Sequence, residues 1–191
     1  MRPEEKVYKA YFESKKLSLY FNEIKELSKL SDSSLTNTLN RLTAEKILYR
    51  EKTKSNTFYK VKNKKLMALK FSELAMNTFN NLNRGIKVPL NNFLNNFPLS
   101  IHTVVLFGSA SRKEEREESD IDLLVVSDKE QDLKKNKNEG EIVSKYAISI
   151  FQCTTQEFIH GMDDVIIQAK KTGFPIYKEQ NFYEEILDEH R

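Results

Sequence analysis

Apolar positions in the first third of the chain recur every three or four residues, in three short blocks. Val7, Tyr8, Ala10, Tyr11 and Phe12 stripe residues 4–13, and Phe21, Ile24, Leu27 and Leu30 stripe a second block. Leu35, Leu39 and Leu42 stripe a third, entered through the hydroxyl- and carboxylate-rich residues 31–34. This period places one face of a helix against a core, and Ser and Asp are the residues that cap a helix start, so three helices are predicted. The segment ILYREKTKSNTFYKVK then predicts two strands, 47–51 and 57–62, joined through the polar hairpin loop KTKSN. Helical spacing returns over residues 63–83, where Leu66, Leu69, Phe71, Leu74, Met76 and Phe79 predict one long helix. Gly85 and Pro89 in NRGIKVP predict a break, and LNNFLNNF a short helix ending before Pro98.

The pattern changes from Ser100 onward. IHTVVLFGS is a run of β-branched and apolar residues ending in Gly-Ser, and DIDLLVVSD is a second run with acids alternating at its start. YAISIFQC predicts a third strand, and the charged DKEQDLKKNKNEG before it a helix or loop. TTQEFIHGMDDVIIQAKKTG predicts one or two helices capped at Thr154 or Thr155, with Asp163-Asp164 read as a cap. GFPIYKE predicts a short strand and FYEEILDEHR a closing helix. Strands and helices in this mixture give an α+β class.

Charge sharpens the division. Residues 1–65 hold 16 Lys/Arg against 8 Asp/Glu, a net of +8; the whole chain is +3, so the remainder carries −5. A basic first third points to a polyanionic partner, nucleic acid first. The lone Cys153 excludes an internal disulfide and a cysteine-based zinc site. With no long apolar run for a signal or a membrane span, a cytoplasmic protein with no membrane partner is expected.

Three helices and a hairpin at these lengths resemble a winged helix-turn-helix over roughly residues 4–65. The resemblance implies a third helix that enters the major groove of duplex DNA and a wing that lies on phosphates. Outward residues of that helix would be Ser33, Ser34, Thr36, Asn37, Thr38, Asn40 and Arg41; Asn37, Asn40 and Arg41 suit base edges. The wing offers Arg50, Lys52, Lys54 and Lys60, with Lys62, Lys64 and Lys65 after it. Such a module also serves protein contact or dimerisation, and two-fold dimers are common among regulators, so a homodimer is the default.

The chemistry sits in VVLFGSASRKEEREESDIDLLVV. A strand delivers Gly108 and Ser109 at its end, where glycine allows close backbone approach and the hydroxyl and N–H of Ser109 suit a phosphate. Asp120-Ile121-Asp122 follows after ten intervening residues. On a strand the two aspartates share a face, about 6–7 Å apart at Cα. Adjacent carboxylates repel unless a cation joins them, and Mg²⁺ held by one or two carboxylates plus substrate phosphates is the usual solution.

Gly108-Ser109, the gap, then Asp120-Ile121-Asp122 followed by Leu123, Leu124 and Val125 resembles the nucleotidyltransferase superfamily of DNA polymerase β type, over residues 100 to about 180. The resemblance implies a small mixed sheet flanked by helices, with Asp120 and Asp122 as catalytic metal ligands for Mg²⁺ or Mn²⁺. Gly108 and Ser109 would cradle the phosphates of an NTP, with ATP the expected nucleotide. Arg112 stands where small members often carry an arginine, for phosphate contact or for pairing with Glu115 or Glu118. Active members usually add a third carboxylate from a later strand. Here that strand is YAISIFQC, which has no acid; Ser149 or Gln152 stands nearest the place, with Glu141 before the strand and Glu157 after it. His102 and His160 have no partner at metal-site or triad spacing.

The expected organisation is therefore a winged helix-turn-helix over 1–65, a helical linker over 66–99 and a nucleotidyltransferase-like domain over 100–191. The expected activity is transfer of a nucleoside monophosphate from Mg-NTP to a hydroxyl acceptor on a protein or small molecule. The alternative is a DNA-binding regulator whose nucleotidyltransferase domain is inactive or senses nucleotide. An adaptor docking through helix 63–83 would leave Asp120 and Asp122 without a purpose.

Overall fold

The computed structural model describes residues 1–116 and 119–188. The chain divides into two units between Leu74 and Ala75.

The first unit opens with α1 (Pro3–Ser14), where Pro3 fills the first turn and the Glu5 carboxylate accepts from both Arg2 N and Arg2 Nε. Val7, Tyr8, Ala10 and Tyr11 face inward, and the Tyr11 hydroxyl donates to Tyr59 O at 2.8 Å in the core. A three-residue strand follows, β1 (Ser18–Tyr20), within the stretch LSLYFNEIKELSKL, expected to form the second helix throughout. Its one inward residue, Leu19, is too little alternation for a sequence signal. Next come α2 (Phe21–Ser28) and α3 (Asp32–Ala44); Ser31 caps α3 by accepting from Ser34 N. Leu35, Leu39 and Leu42 form the buried stripe as expected, whereas Leu27 of α2 is exposed. Strands β2 (Leu48–Lys52) and β3 (Thr57–Val61) form the expected hairpin, and β1 adds to the other edge of β3, giving an antiparallel sheet of order β1-β3-β2.

Helix α4 (Lys64–Asn80) contains the division between the units. Its buried face is Met67, Ala68, Phe71, Ser72 and Ala75, while Leu69 and Met76 are exposed. Small residues at positions 68, 72 and 75 complete the inward stripe, and a reading weighted to large side chains passes over them.

The second unit continues with α5 (Arg84–Phe93), which starts earlier than expected and runs through Pro89 instead of breaking there. Proline forgoes one helix bond and crowds the carbonyl four residues back. That carbonyl belongs to exposed Gly85, where water can satisfy it.

Four strands form the second sheet: β4 (Ile101–Phe107), β5 (Ile121–Ser127), β6 (Ile148–Cys153) and β7 (Phe174–Tyr177), in the order β6-β5-β4-β7. β4 pairs antiparallel with β5 and β7, and β6 runs parallel to β5, so the sheet is mixed. The parallel pair needs a crossover, supplied by α7 (Lys134–Glu141). Gly140 lets α7 come close to its neighbours, because a methyl group there would lie 2.6 Å from Ile148 Cδ1 and 3.0 Å from Pro89 O. Asn136 of α7 donates to Phe93 O at 2.9 Å and Asn95 O at 3.1 Å, satisfying carbonyls left over at the end of α5. A single turn, α6 (Gly108–Arg112), follows β4. Helices α8 (Thr155–His160), α9 (Asp164–Thr172) and α10 (Glu179–Asp188) complete the unit, with Thr154 and Asp163 as N-caps. Val104, Val105, Leu106, Leu123, Leu124, Val125 and Val126 are almost wholly buried, which makes β4 and β5 the rigid centre of the unit.

Candidate functional site

The ends of β4 and β5 hold the paired acids. In the antiparallel register Asp122 lies opposite Phe107, and in the parallel register opposite Ser149. Asp120 precedes the first residue of β5 and is exposed, while Asp122 is half-buried on the strand. The strand thus starts one residue later than expected, but the two carboxylates remain neighbours. Burial first, and the Asp120 charge second, hold the Asp122 carboxyl above its ordinary range.

Gly108 has a more specific role than the sequence suggests. Its φ is +71°, the left-handed region, and a methyl group there would lie 2.2 Å from Asp122 Oδ2. The group that approaches the glycine backbone is therefore the Asp122 carboxylate. Ser109, half-buried, follows in the single turn of α6. Five residues make a weak dipole, so a phosphate here would rely on individual N–H and hydroxyl groups more than on a helix end. Arg112 closes α6, is exposed, and pairs with Glu114 at 2.7 Å. The expected partners were Glu115 and Glu118: Glu115 Oε1 instead accepts from Asn83 Nδ2, and Glu118 lies outside the described residues. The i+2 partner wins because Lys113 between them is left-handed and turns the chain back.

Strand register decides which β6 residue lies beside the acids. Ser149 stands beside Asp122 on β6, and its hydroxyl donates to Asp120 Oδ2 at 2.9 Å. Gln152 is turned to other work, exchanging two hydrogen bonds with the Gln131 backbone. Glu141 accepts from Ile148 N at 2.8 Å, and Glu157 accepts from Thr154 N at 2.7 Å, so each carboxylate fixes an element end. Phe151, on the same face as Ser149 by strand alternation, is exposed and meets Phe107 at 5.8 Å between ring centroids. The Cys153 thiol, pushed up to about 12 chiefly by burial, is no nucleophile at neutral pH. His102 lies 3.4 Å from Glu185 and away from the acids in sequence register.

Among the described residues no group of three or more His, Cys, Asp or Glu could hold a metal ion. The donor set is two carboxylates, one of them half-buried and destabilised as an anion first by burial and then by the other. That set fits a hard divalent cation whose remaining ligands are water and phosphate, and does not fit an all-protein cage.

In the first unit, Asn40 of α3 and Arg50 of β2 line one cleft of about 420 Å³, together with Tyr20, Asn22, Thr36 and Asn56. Tyr20, Asn22 and Asn56 are additions that need the fold to be seen. Asn37 is exposed in a second cleft, beside Arg41. Arg41 is engaged with Glu4 and lies 3.9 Å from Glu45. Lys52 and Lys54 are exposed; Lys60 pairs with Glu51. Thr38, expected to face outward, is buried and donates to Ser34 O at 2.8 Å, so it leaves the candidate surface. Its position, one residue before Leu39, falls on the edge of the inward stripe.

Residues 89–182 match the family model described as polymerase beta, nucleotidyltransferase. The match supports the nucleotidyltransferase superfamily for this stretch and nucleotidyl transfer as its general activity. It begins at Pro89, within α5. No curated protein and no solved structure matches the chain at a significant level. Among the described residues, no helix is long and apolar enough to cross a membrane.

Proposed function

We propose that the second unit transfers a nucleoside monophosphate from a Mg²⁺-bound NTP, ATP by expectation, to a hydroxyl acceptor on a protein or small molecule. The observation that carries this reading is the Asp122 carboxylate set against a left-handed Gly108 and raised in pKa beside Asp120. A fold that holds two like charges together at a strand end supports a site completed by a cation. Asp120 and Asp122 would hold the Mg²⁺ or Mn²⁺, which polarises the phosphate under attack and stabilises the charge that develops on it. Gly108 and Ser109 would grip the non-transferred phosphates. Arg112, exposed and paired among the described residues with the exposed Glu114, can exchange that partner for a phosphate at little cost. The buried β4–β5 pair keeps these groups fixed.

The test is label transfer from α-labelled ATP into the protein or a supplied acceptor. Asp120→Ala and Asp122→Ala should each lower it by at least a hundredfold. Transfer by both variants at the wild-type level would refute the assignment.

The second reading, a DNA-binding regulator in which the nucleotidyltransferase domain is inactive or senses nucleotide, is favoured by one observation. A hydroxyl, Ser149, stands where an acid is expected, bonded to Asp120. The first unit then acts as a winged helix-turn-helix on duplex DNA, through Asn37, Asn40, Arg41, Arg50, Lys52 and Lys54. Steeply salt-dependent duplex binding by the full chain, without label transfer, would favour it. Both readings hold together if one chain regulates and modifies, and a homodimer would give the DNA module two half-sites.

A further inference from the structure

Serine donates only one proton, and in this site the Ser149 proton goes to Asp120 Oδ2 at 2.9 Å. Ser149 is also the strand partner of Asp122, so it stands beside both carboxylates, about 4.8 Å from the β5 backbone. Asp120 is the less fixed of the two acids. It lies outside the strand and is exposed, and this hydrogen bond ties its side chain to the sheet. The bond is made to Oδ2, and a carboxylate has a second oxygen with which to take a further ligand. Elsewhere the two glutamates that flank β6 are held by backbone amides, Glu141 by Ile148 and Glu157 by Thr154, and neither reaches the pair.

We propose that Ser149 is a positioning residue of this site: it fixes the Asp120 rotamer for a divalent cation, and its neutral hydroxyl limits the protein's own ligand set to one cation. The proposal rests on the metal-site reading above and deepens it. Hydrogen bonds to a ligating carboxylate set its direction, and their loss typically lowers metal affinity 10–100-fold. A carboxylate in place of Ser149 would bring a third negative charge to the pair, which draws cations more strongly and gives room for another.

The experiment is titration of the full-length protein with Mn²⁺ alone, followed by the electron paramagnetic resonance of free Mn²⁺ and by water-proton relaxation. Wild type should bind one Mn²⁺. Ser149→Ala should bind it about tenfold more weakly with an unchanged melting temperature, and Ser149→Thr, which keeps the hydroxyl, should restore the affinity. Ser149→Asp should bind more tightly or take up a second ion. Placed on an Asp120→Asn background, Ser149→Ala should cause no further loss, because its effect runs through Asp120. If wild type and Ser149→Ala bind equally, the role of Ser149 is overturned while the site stands. If wild type binds no Mn²⁺, the site and the role of Ser149 fall together. An affinity lost in Ser149→Ala and not restored by threonine would reduce Ser149 to a packing residue and also overturn the proposal.

Discussion

At Asp122, burial and the neighbouring Asp120 charge both oppose the ionised form, so the carboxyl holds its proton to a higher pH in the folded protein than in the unfolded chain. The sign for stability follows by linkage. Below the ordinary carboxylate range, near pH 3.9, the group is protonated in both states and contributes nothing. As pH rises past that value the unfolded chain ionises first, and native stability falls until the folded group has ionised too. Asp122→Asn removes the charge. Without divalent cation, it should therefore melt above wild type at neutral pH, by up to about 1 kcal/mol, since a half-exposed group keeps part of its hydration. The difference should vanish on acidification below about pH 4, followed by thermal melts in chelator across pH 3–8. A variant less stable than wild type at neutral pH would show that Asp122 makes stabilising bonds in the native state. At this scale the sequence made Asp120, Asp122 and Gly108 legible, because residue type and spacing carry the chemistry. The contact of Gly108 with Asp122 was not legible, since it depends on a φ value and on how two strands meet. The Arg112–Glu114 pair was equally hidden, because helical spacing misleads once the helix is a single turn.

Elements with strong periodicity were legible to within a residue or two. The stripe of α3 and the apolar runs of β4 and β5 each bury what their period says they should, and the strands of the β2–β3 hairpin lie within a residue of their expected bounds. Elements set by tertiary partners were not. β1 exists because β3 offers an edge, α5 continues through Pro89 inside the matched stretch, and α4 turns small residues inward. The pairing of β6 with β5, which puts Ser149 and not Gln152 beside the acids, is a register that no local pattern records. In the first unit the fold brings α3 and the β2–β3 hairpin to one cleft, lined by Asn40 and Arg50 among others. On duplex DNA, Arg50→Ala in the full chain should weaken binding for all sequences and reduce the slope of log affinity against log salt by about one. Asn40→Ala should keep the slope and relax sequence preference, at about 1–3 kcal/mol for the preferred site. Fluorescence anisotropy at several salt concentrations separates the two, and affinity unchanged in both variants would remove this cleft from the DNA face.

For the whole molecule, the charge asymmetry of the sequence and the division of the chain agree in outline. The basic 1–65 segment lies in the unit that ends at Leu74, and the acid pair lies in the other. A basic module carrying a nucleotide-handling module is the organisation on which the proposed function rests, and its central claim is a working cation-dependent nucleotide site at Asp120 and Asp122. The direct measurement is calorimetric titration of Mg·ATP, then the other Mg·NTPs, into wild type and an Asp120→Asn/Asp122→Asn double variant, each checked for its fold by circular dichroism. Wild type should bind nucleotide only with Mg²⁺, and the double variant should not bind it. Folded wild-type protein that binds no nucleotide, or a double variant that binds as well as wild type, would contradict that claim.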